Sequence, residues 1–200
     1  MSMFILASCG DADNADILSD LEVINVQTDK LLYHNLQEVE DASTIIIDAI
    51  AKDTLDQKVS THYNSELNKE LPGAGYTRRE IEVTKVYKGN VKVGDKLVLL
   101  QGYYIWTNAD GEEQLISMTS LKPAIKDKEY MMFLEYYEPH EGYWPVGDYE
   151  GMFPIPTDEM KKKAEDETLE QTDMDVYSGE TLHYLIPIYS EMVEKYFRSK

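Results

Sequence analysis

The chain has 200 residues, which suits one domain of ordinary size with tails or two small domains. Hydrophobic residues make up 42% of it, enough for a packed core, and the fifteen tyrosines favour a β-rich protein with a partly wetted aromatic surface. The formal net charge of −19 argues against nucleic acid as a partner and against electrostatic adhesion to anionic lipid headgroups. Such a charge keeps a protein soluble, and it is typical of a protein that must not stick to surfaces outside the cell.

The N-terminus carries the one cysteine of the sequence. Leu6–Cys9 reads LASC after a short apolar run, and it resembles the lipobox of bacterial lipoproteins. The resemblance implies that Cys9 is acylated, that the peptide before it is removed, and that the protein is lipid-anchored and extracytoplasmic. Because eight residues without a basic start precede Cys9, we expect the signal peptide to begin upstream of Met1. The alternative is a chance match in a disordered N-terminus.

Residues 1–30 are accordingly interpreted as the signal remnant and a tether. Gly10–Asp16 is polar and typical of a flexible segment, whereas Val23–Val26 permits a short strand. No other segment approaches the roughly 20 apolar residues of a transmembrane helix. A lipid at Cys9 is therefore the expected membrane anchor.

Residues 31–156 are predicted to form the folded domain. Asn35 can cap a helix with Glu38 three residues later, which predicts a helix of about two turns. The β-branched run Thr44–Ile50 is typical of a buried first strand. Polar residues from 52 to 75, closed by a proline and two glycines, predict a loop before the second strand.

The strongest pattern is a β-hairpin between Thr77 and Gln101. Ile81 and Val83 alternate with glutamates, which gives the first strand one apolar and one polar face. The alternation slips near Val86–Tyr87, which predicts a bulge there. After a glycine-containing connection, the second strand Lys96–Gln101 is apolar on both sides and is predicted to be buried on both.

Three further patterns complete the predicted sheet. Asp110-Gly111, flanked by β-like runs, indicates a second hairpin. Glu129–Tyr137 is mostly apolar and predicts a long strand. Tyr143–Tyr149 and Gly151–Ile155 predict a final pair of short strands.

Residues 157–200 are interpreted as an acidic linker followed by an amphipathic helix. Thr157–Asp175 contains eight acidic residues and is typical of a solvated helix or linker. Apolar residues then recur at helical spacing from Leu182 to Phe197, with Pro187 expected as the first helical residue or as a kink. We expect this stripe to pack on the predicted sheet, and docking to a partner is the alternative.

The order of these elements resembles bacterial secreted OB-fold domains akin to the netrin and tissue-inhibitor-of-metalloproteinase (TIMP) module. The likeness depends on Val86–Gly89, Gly94-Asp95 and the strand Lys128–Leu134, and it covers about residues 36–155. It implies a mainly β (α+β) fold: a small, closed or partly open OB-like β-barrel with a short N-terminal helix and a C-terminal amphipathic helix. The disulfides of the animal module are missing and Cys9 lies far upstream, so protease inhibition is not implied.

Aromatic residues are dense between 103 and 153. We take four of them, near predicted turns, as exposed candidate ligand-binding residues: Tyr104, Trp106, Tyr143 and Trp144. Exposed rings can stack on sugars or on apolar peptide side chains. Five neighbouring acids can hydrogen-bond hydroxyl groups: Glu135, Glu138, Glu141, Asp148 and Glu150. The alternative is that alternate rings fill the barrel while the others cover its ends.

The sequence contains no convincing pattern of catalytic or metal-binding residues. In a chain with 38 acidic residues, a pair of carboxylates carries almost no information about glycoside hydrolysis. The early aspartates lack the glycine and the glutamate of a calcium loop. The histidines share no ligand spacing: His34, His62, His140 and His183. We therefore predict no catalytic residue, no metal and no cofactor.

Three functions remain open. The main prediction is a non-catalytic, membrane-anchored lipoprotein that binds a peptide, a protein or a glycan of the cell envelope. The second is a structural component that docks through its C-terminal helix. The third is a hydrolase that acts on envelope glycans.

Overall fold

The computed structural model describes residues 21–26, 31–118, 123–147, 150–174 and 185–198. Within these ranges the strands are β1 (Glu22–Asn25), β2 (Ile45–Asn64), β3 (Lys69–Lys88), β4 (Lys96–Gln101), β5 (Tyr103–Thr107), β6 (Glu113–Ser117), β7 (Glu129–Tyr137), β8 (Gly142–Pro145) and β9 (Met152–Pro154). The α-helices are α1 (Leu36–Ala42), α2 (Asp158–Glu165) and α3 (Leu185–Phe197), and 3₁₀ turns lie at Glu138–His140 and Gln171–Asp173. Several residues named above lie outside the described ranges: Cys9, Asp148, Tyr149, Leu182 and His183.

Five of the strands pair side by side in a ring. β2 pairs antiparallel with both β3 and β7. β3 is also antiparallel to β4, and β7 to β8. A parallel pairing of Leu99 in β4 with Tyr143 in β8 completes the ring, and β9 pairs with β7. The prediction is confirmed at the level of a mainly β fold whose sheet is partly ring-shaped.

The core of the ring is built from alternate side chains of neighbouring strands. Ala49 in β2 lies opposite Val83 in β3 and Tyr130 in β7, and each is at most 1% exposed. This alternation is what the apolar residues of β3 predict, because successive side chains of a strand point to opposite faces. The buried first strand expected at Thr44–Ile50 is therefore confirmed.

The long β2–β3 hairpin is the main departure from the expected fold. Residues 52–75, predicted to be a loop, instead extend β2 and β3 to 20 residues each, so that prediction is wrong. The strands turn between Asn64 and Lys69, and β4 and β7 pair only with the base of the hairpin. The remainder projects as an arm, residues 52–76. Most of its residues are polar and the few apolar ones do not alternate with them, so the pattern that predicts a strand is absent.

The predicted β3–β4 hairpin is present. Thr77 lies opposite Gln101, and the pairing continues to Glu82. Leu99 and Leu100 are fully buried, but the first half of β4 is half-buried or exposed. Burial on both faces therefore holds only for the end of this strand.

The bulge expected near Val86–Tyr87 is also present. Ile46 lies opposite Lys88 whereas Ile47 lies opposite Val86, so Tyr87 is the extra residue on β3. A bulge bends a strand locally and increases its twist, which helps a short sheet to curve into a ring.

Helices α1 and α3 pack together beside the ring. Asn35 caps α1 as predicted, since its side chain accepts a 2.9 Å hydrogen bond from the backbone N–H of Glu38. Five residues of α3 are at most 2% exposed: Leu185, Ile188, Tyr189, Met192 and Val193. The expected packing of this apolar stripe within the chain is confirmed. Pro187 is the third residue of α3 and not the first, a position that is tolerated because first-turn N–H groups have no intrahelical acceptor.

A separate three-stranded sheet, here called the small sheet, has the order β1–β6–β5. β5 and β6 form the hairpin that Asp110-Gly111 predicts. β1 lies inside the stretch 1–30, where the sequence permits a short strand, and pairs parallel with β6. Within the described ranges, no helix combines the length and apolar character needed to cross a membrane.

Candidate functional site

The four candidate ligand-binding residues fall into two groups. Tyr104 and Trp106 lie on β5, where they line a cleft between the arm and the small sheet. Tyr143 and Trp144 lie on β8 and contact other aromatic rings. Trp106, Tyr143 and Trp144 are half-buried. The structure does not assemble the four side chains into one groove.

The predicted exposure of Tyr104 is wrong, because its side chain is only 1% exposed. Its hydroxyl donates a 2.7 Å hydrogen bond to the carbonyl oxygen of Gly73 in the arm. A methyl group at Gly75 would lie 2.5 Å from the Tyr104 ring, so glycine allows the ring to lie directly on the arm backbone. Tyr104 therefore attaches the small sheet to the arm.

Tyr143 and Trp144 belong to six rings around the β7–β8 turn, here called the turn cluster: Tyr76, Tyr136, Tyr137, His140, Tyr143 and Trp144. The six form two groups, because Tyr143 and Trp144 are successive residues of β8 and point to opposite faces. Four rings contact one another on one face, and Tyr136 pairs with Tyr143 on the other. Tyr76 stacks on His140 with ring centroids 4.3 Å apart, and Trp144 meets Tyr76 edge-on at 5.8 Å. Tyr137 meets His140 at 4.8 Å, and Tyr136 meets Tyr143 at 5.1 Å. Edge-to-face and offset-stacked rings at these separations attract one another.

The local backbone explains why these rings converge. The 3₁₀ turn Glu138–His140 ends at Glu141, which adopts the left-handed conformation with a φ of 50°. Gly142 then passes directly over β4, since a methyl group there would lie 2.8 Å from Leu100. The chain thus reverses tightly enough to place His140 over Tyr76 of β3.

The turn cluster is accessible and bordered by carboxylates. Tyr136 and Tyr137 are 45% and 43% exposed. Glu135, Glu138 and Glu141 are exposed around the same turn. Their oxygens can accept hydrogen bonds from hydroxyl or amide groups of a ligand.

Two details of the cluster are electrostatic. Burial, and to a smaller extent the neighbouring Tyr136, raises the pKa of the Tyr143 phenol, so this side chain stays a neutral donor. The Nδ1 atom of His140 is buried without a hydrogen-bond partner among the described residues.

Glu150, one of the acids predicted to bind a ligand, is not accessible to one. Glu150 is fully buried, and its carboxylate accepts a 3.0 Å hydrogen bond from the backbone N–H of Tyr33. The expectation that Glu150 hydrogen-bonds a ligand is therefore wrong. Its role is to hold the chain before α1 against the β8–β9 connection.

Two members of the turn cluster, Tyr76 and His140, are not among the candidates from the sequence. Tyr76 directly follows the stretch predicted as a loop, and His140 is 64 residues further along the chain. Only the pairing of β3 with β4, and of β8 with both β4 and β7, brings the two rings together. No local signal in the sequence could have found this contact.

The most strongly perturbed carboxyl group lies away from the turn cluster. Burial raises the pKa of Asp48 to about 6, while the hydrogen bond from Tyr87 and the charge of Lys85 act in the opposite direction. Asp48 is 5% exposed and lies in the wall of the ring. Within the described residues, no group of three or more His, Cys, Asp or Glu side chains is placed to hold a metal ion.

No family model, no curated protein and no solved structure matches this chain.

Proposed function

We propose that the protein is a non-catalytic binding module of the cell envelope that holds a glycan at the turn cluster. The observation that supports this most directly is the four mutually contacting rings on one face of the turn, Tyr76, Tyr137, His140 and Trp144, with three exposed carboxylates around the same turn. The turn offers apolar faces and hydrogen-bond acceptors at the same place.

A pyranose ring presents apolar C–H faces and a rim of hydroxyl groups. The half-buried ring of Trp144 and the exposed ring of Tyr137, on the same face, give a surface on which such a sugar face can stack, because Tyr76 and His140 already fix their orientation. Glu138 and Glu141 can accept hydrogen bonds from the hydroxyl rim. A neutral or amine-bearing glycan suits this surface better than an acidic one, since the chain carries a net charge of −19.

The order of strand pairing supports an OB-like assignment of the ring. In OB-folds a five-stranded Greek-key barrel binds oligosaccharides or oligonucleotides at its second and third strands and at the loops after its first and fourth strands. We propose that β2, β3, β4, β7 and β8 take the places of the five strands. The turn cluster then lies at the loop after the fourth strand, with Tyr76 on the second.

We further propose that the module is extracytoplasmic and is anchored by a lipid on Cys9. The support is the LASC motif at Leu6–Cys9. Mass spectrometry of the protein from the membrane fraction of its native host tests this directly, because acylation adds a defined mass at Cys9. Unmodified Cys9 in soluble protein would exclude the anchor without affecting the glycan proposal.

Glycan binding is tested on an array of envelope oligosaccharides, followed by titration of the best ligand. We expect Trp144→Ala and Tyr137→Ala to weaken binding about tenfold or more. Trp106→Ala is the matched control, because Trp106 lies in the cleft beside the arm and should leave the affinity unchanged. Equal affinity for the wild type and both cluster variants would exclude this site.

The two other functions are less well supported. The apolar stripe of α3 is covered by the chain itself, so docking through it would require the helix to leave its own core. Release of reducing ends from a bound oligosaccharide would favour a hydrolase, and the same array ligand serves for that assay.

A further inference from the structure

The cleft between the arm and the small sheet is a second surface, independent of the turn cluster. We propose that it binds an extended segment of a partner protein, with apolar side chains at alternate positions and basic residues at its ends. The bound segment lies alongside the arm strand at Lys69–Pro72. Four features of the cleft carry this proposal: its size, its floor, its open strand edge and its charge.

The size suits a short peptide. The cleft encloses about 530 Å³, within the range of roughly 300–1,000 Å³ found for ligand sites. It is held open by fixed contacts. The Gln57 side chain donates to the carbonyl oxygen of Ile105 at 2.9 Å and accepts from its N–H at 3.0 Å, as a strand would. Thr77 donates a 2.6 Å hydrogen bond to the carbonyl oxygen of Tyr103.

The floor is the apolar face of the small sheet. Ile24, Ile116 and Tyr104 lie opposite one another across β1, β6 and β5, and Trp106 lies two residues further along β5. All four line the cleft, together with Val26. Ile24 and Val26 are 37% and 41% exposed, so this floor is not fully covered by the described chain. Side chains of an extended peptide that point to one side, every second residue, would cover it.

One wall is an open strand edge. β4 ends its pairing with β3 at Thr77, so Lys69–Tyr76 has only β2 as a neighbouring strand among the described residues. Tyr104 covers the edge at Gly73 and Gly75, and the carbonyl oxygen of Ala74 accepts from Ser60, so the part left open is Lys69–Pro72. An open edge next to an apolar floor is the arrangement by which proteins add an extended peptide to a sheet.

The charge around the cleft is acidic. Glu70 lines it directly. Two further glutamates lie next to the lining. Glu22 accepts a 2.7 Å hydrogen bond from the lining residue Gln114, and Glu112 accepts a 3.2 Å hydrogen bond from the lining residue Asn108. Among the described residues of the lining, Lys69 is the one cation. A partner with lysine or arginine at its ends is therefore attracted, and an acidic one is repelled.

The probe is a fluorescent nonapeptide of alternating valine and serine with a lysine at each end, titrated against the full chain by fluorescence anisotropy. We expect saturable binding that weakens as salt increases. Replacing both lysines by glutamates, or methylating the alternate backbone amides that would face the arm, should each weaken binding about tenfold. No saturation, or equal affinity for the lysine and glutamate peptides, would overturn the proposal.

Variants locate the site. Ile24→Lys and Trp106→Ala should each weaken peptide binding about tenfold, and Ile24 is exposed enough to be replaced without disturbing the core. Trp144→Ala in the turn cluster should leave peptide affinity unchanged, which separates this site from the glycan site. A concentration-dependent dimer that Ile24→Lys dissociates would assign the cleft to a second copy of the chain and contradict the proposal.

Discussion

The phenolic oxygen of Tyr87 donates a 2.8 Å hydrogen bond to the carboxylate of Asp48 across neighbouring strands of the ring. Asp48 is 5% exposed, and its other oxygen is buried without a hydrogen-bond partner among the described residues. Its pKa is raised to about 6, chiefly by burial. The ring therefore contains a carboxyl group whose charged form is disfavoured by the fold.

Replacing Asp48 by asparagine should stabilise the protein at high pH only. A pKa raised on folding contributes stability that is fully present below the unfolded pKa of about 4 and is lost as the pH rises through the folded value. Asparagine stays neutral and keeps an oxygen for Tyr87. We expect Asp48→Asn to raise the free energy of unfolding by about 1–2 kcal/mol at pH 8 and to change it little at pH 4. Urea unfolding at both pH values measures this, with the exposed Asp110→Asn as control. A gain of the same size at pH 4 would contradict the assignment.

Glu40 ties α1 to α3. Its carboxylate accepts hydrogen bonds from the Lys195 ammonium at 2.6 Å and from the Tyr196 hydroxyl, and its side chain is 10% exposed. Glu40→Ala leaves the Tyr196 hydroxyl without its acceptor. We therefore expect it to lower the free energy of unfolding by about 2–3 kcal/mol, measured by thermal unfolding. Lys195 is half exposed, so Lys195→Met should cost less, about 0.5–1 kcal/mol. A larger loss of stability for Lys195→Met than for Glu40→Ala would contradict the role assigned to Glu40.

Gly75 sets the distance between the arm and the small sheet. A methyl group there would meet the Tyr104 ring at 2.5 Å and the backbone oxygen of Lys58 at 2.8 Å, and a backbone atom cannot move aside cheaply. We expect Gly75→Ala to lower the free energy of unfolding by about 1–3 kcal/mol. Ala74→Ser, at the exposed neighbouring position, is the control and should change it by less than about 0.5 kcal/mol. Denaturant unfolding of both variants distinguishes these outcomes.

The Gln57 amide serves as a short substitute for strand pairing. Because it both donates to and accepts from Ile105, we expect Gln57→Ala to speed hydrogen exchange of the Ile105 N–H about tenfold. Lys58→Ala alters the next residue of the arm and should leave that exchange rate unchanged. Equal exchange in wild type and Gln57→Ala would mean that other contacts hold β5 in place.

Local patterns were sufficient wherever a segment has one apolar face. The cap at Asn35, the strand Glu129–Tyr137 and the bulge at Tyr87 can all be predicted because each leaves a signature within a few residues. The apolar spacing of α3 likewise predicts that its stripe is buried in the chain.

The arm has no such signature. Its residues are mostly polar, and a mostly polar stretch with proline and glycine has the same composition whether it forms a loop or a hairpin. Pairing between the two 20-residue strands satisfies the backbone groups that face the inside of the hairpin, and this long-range pairing leaves no local sign in the sequence. The sequence does not predict the burial of Tyr104 for the same reason, since the surface that covers this ring is the arm.

The sequence by itself determined the mainly β composition, the bounds of strands with a clear apolar pattern such as β4 and β7, and the clustering of aromatic residues along the chain. Tertiary structure alone decided which of those rings meet. Tyr76 and His140 stack because β3, β4 and β8 are neighbours. Trp106 lies in the cleft beside the arm, whereas Trp144 lies in the turn cluster. Strand order is set by contacts between residues far apart in the chain, and no short window of sequence contains them.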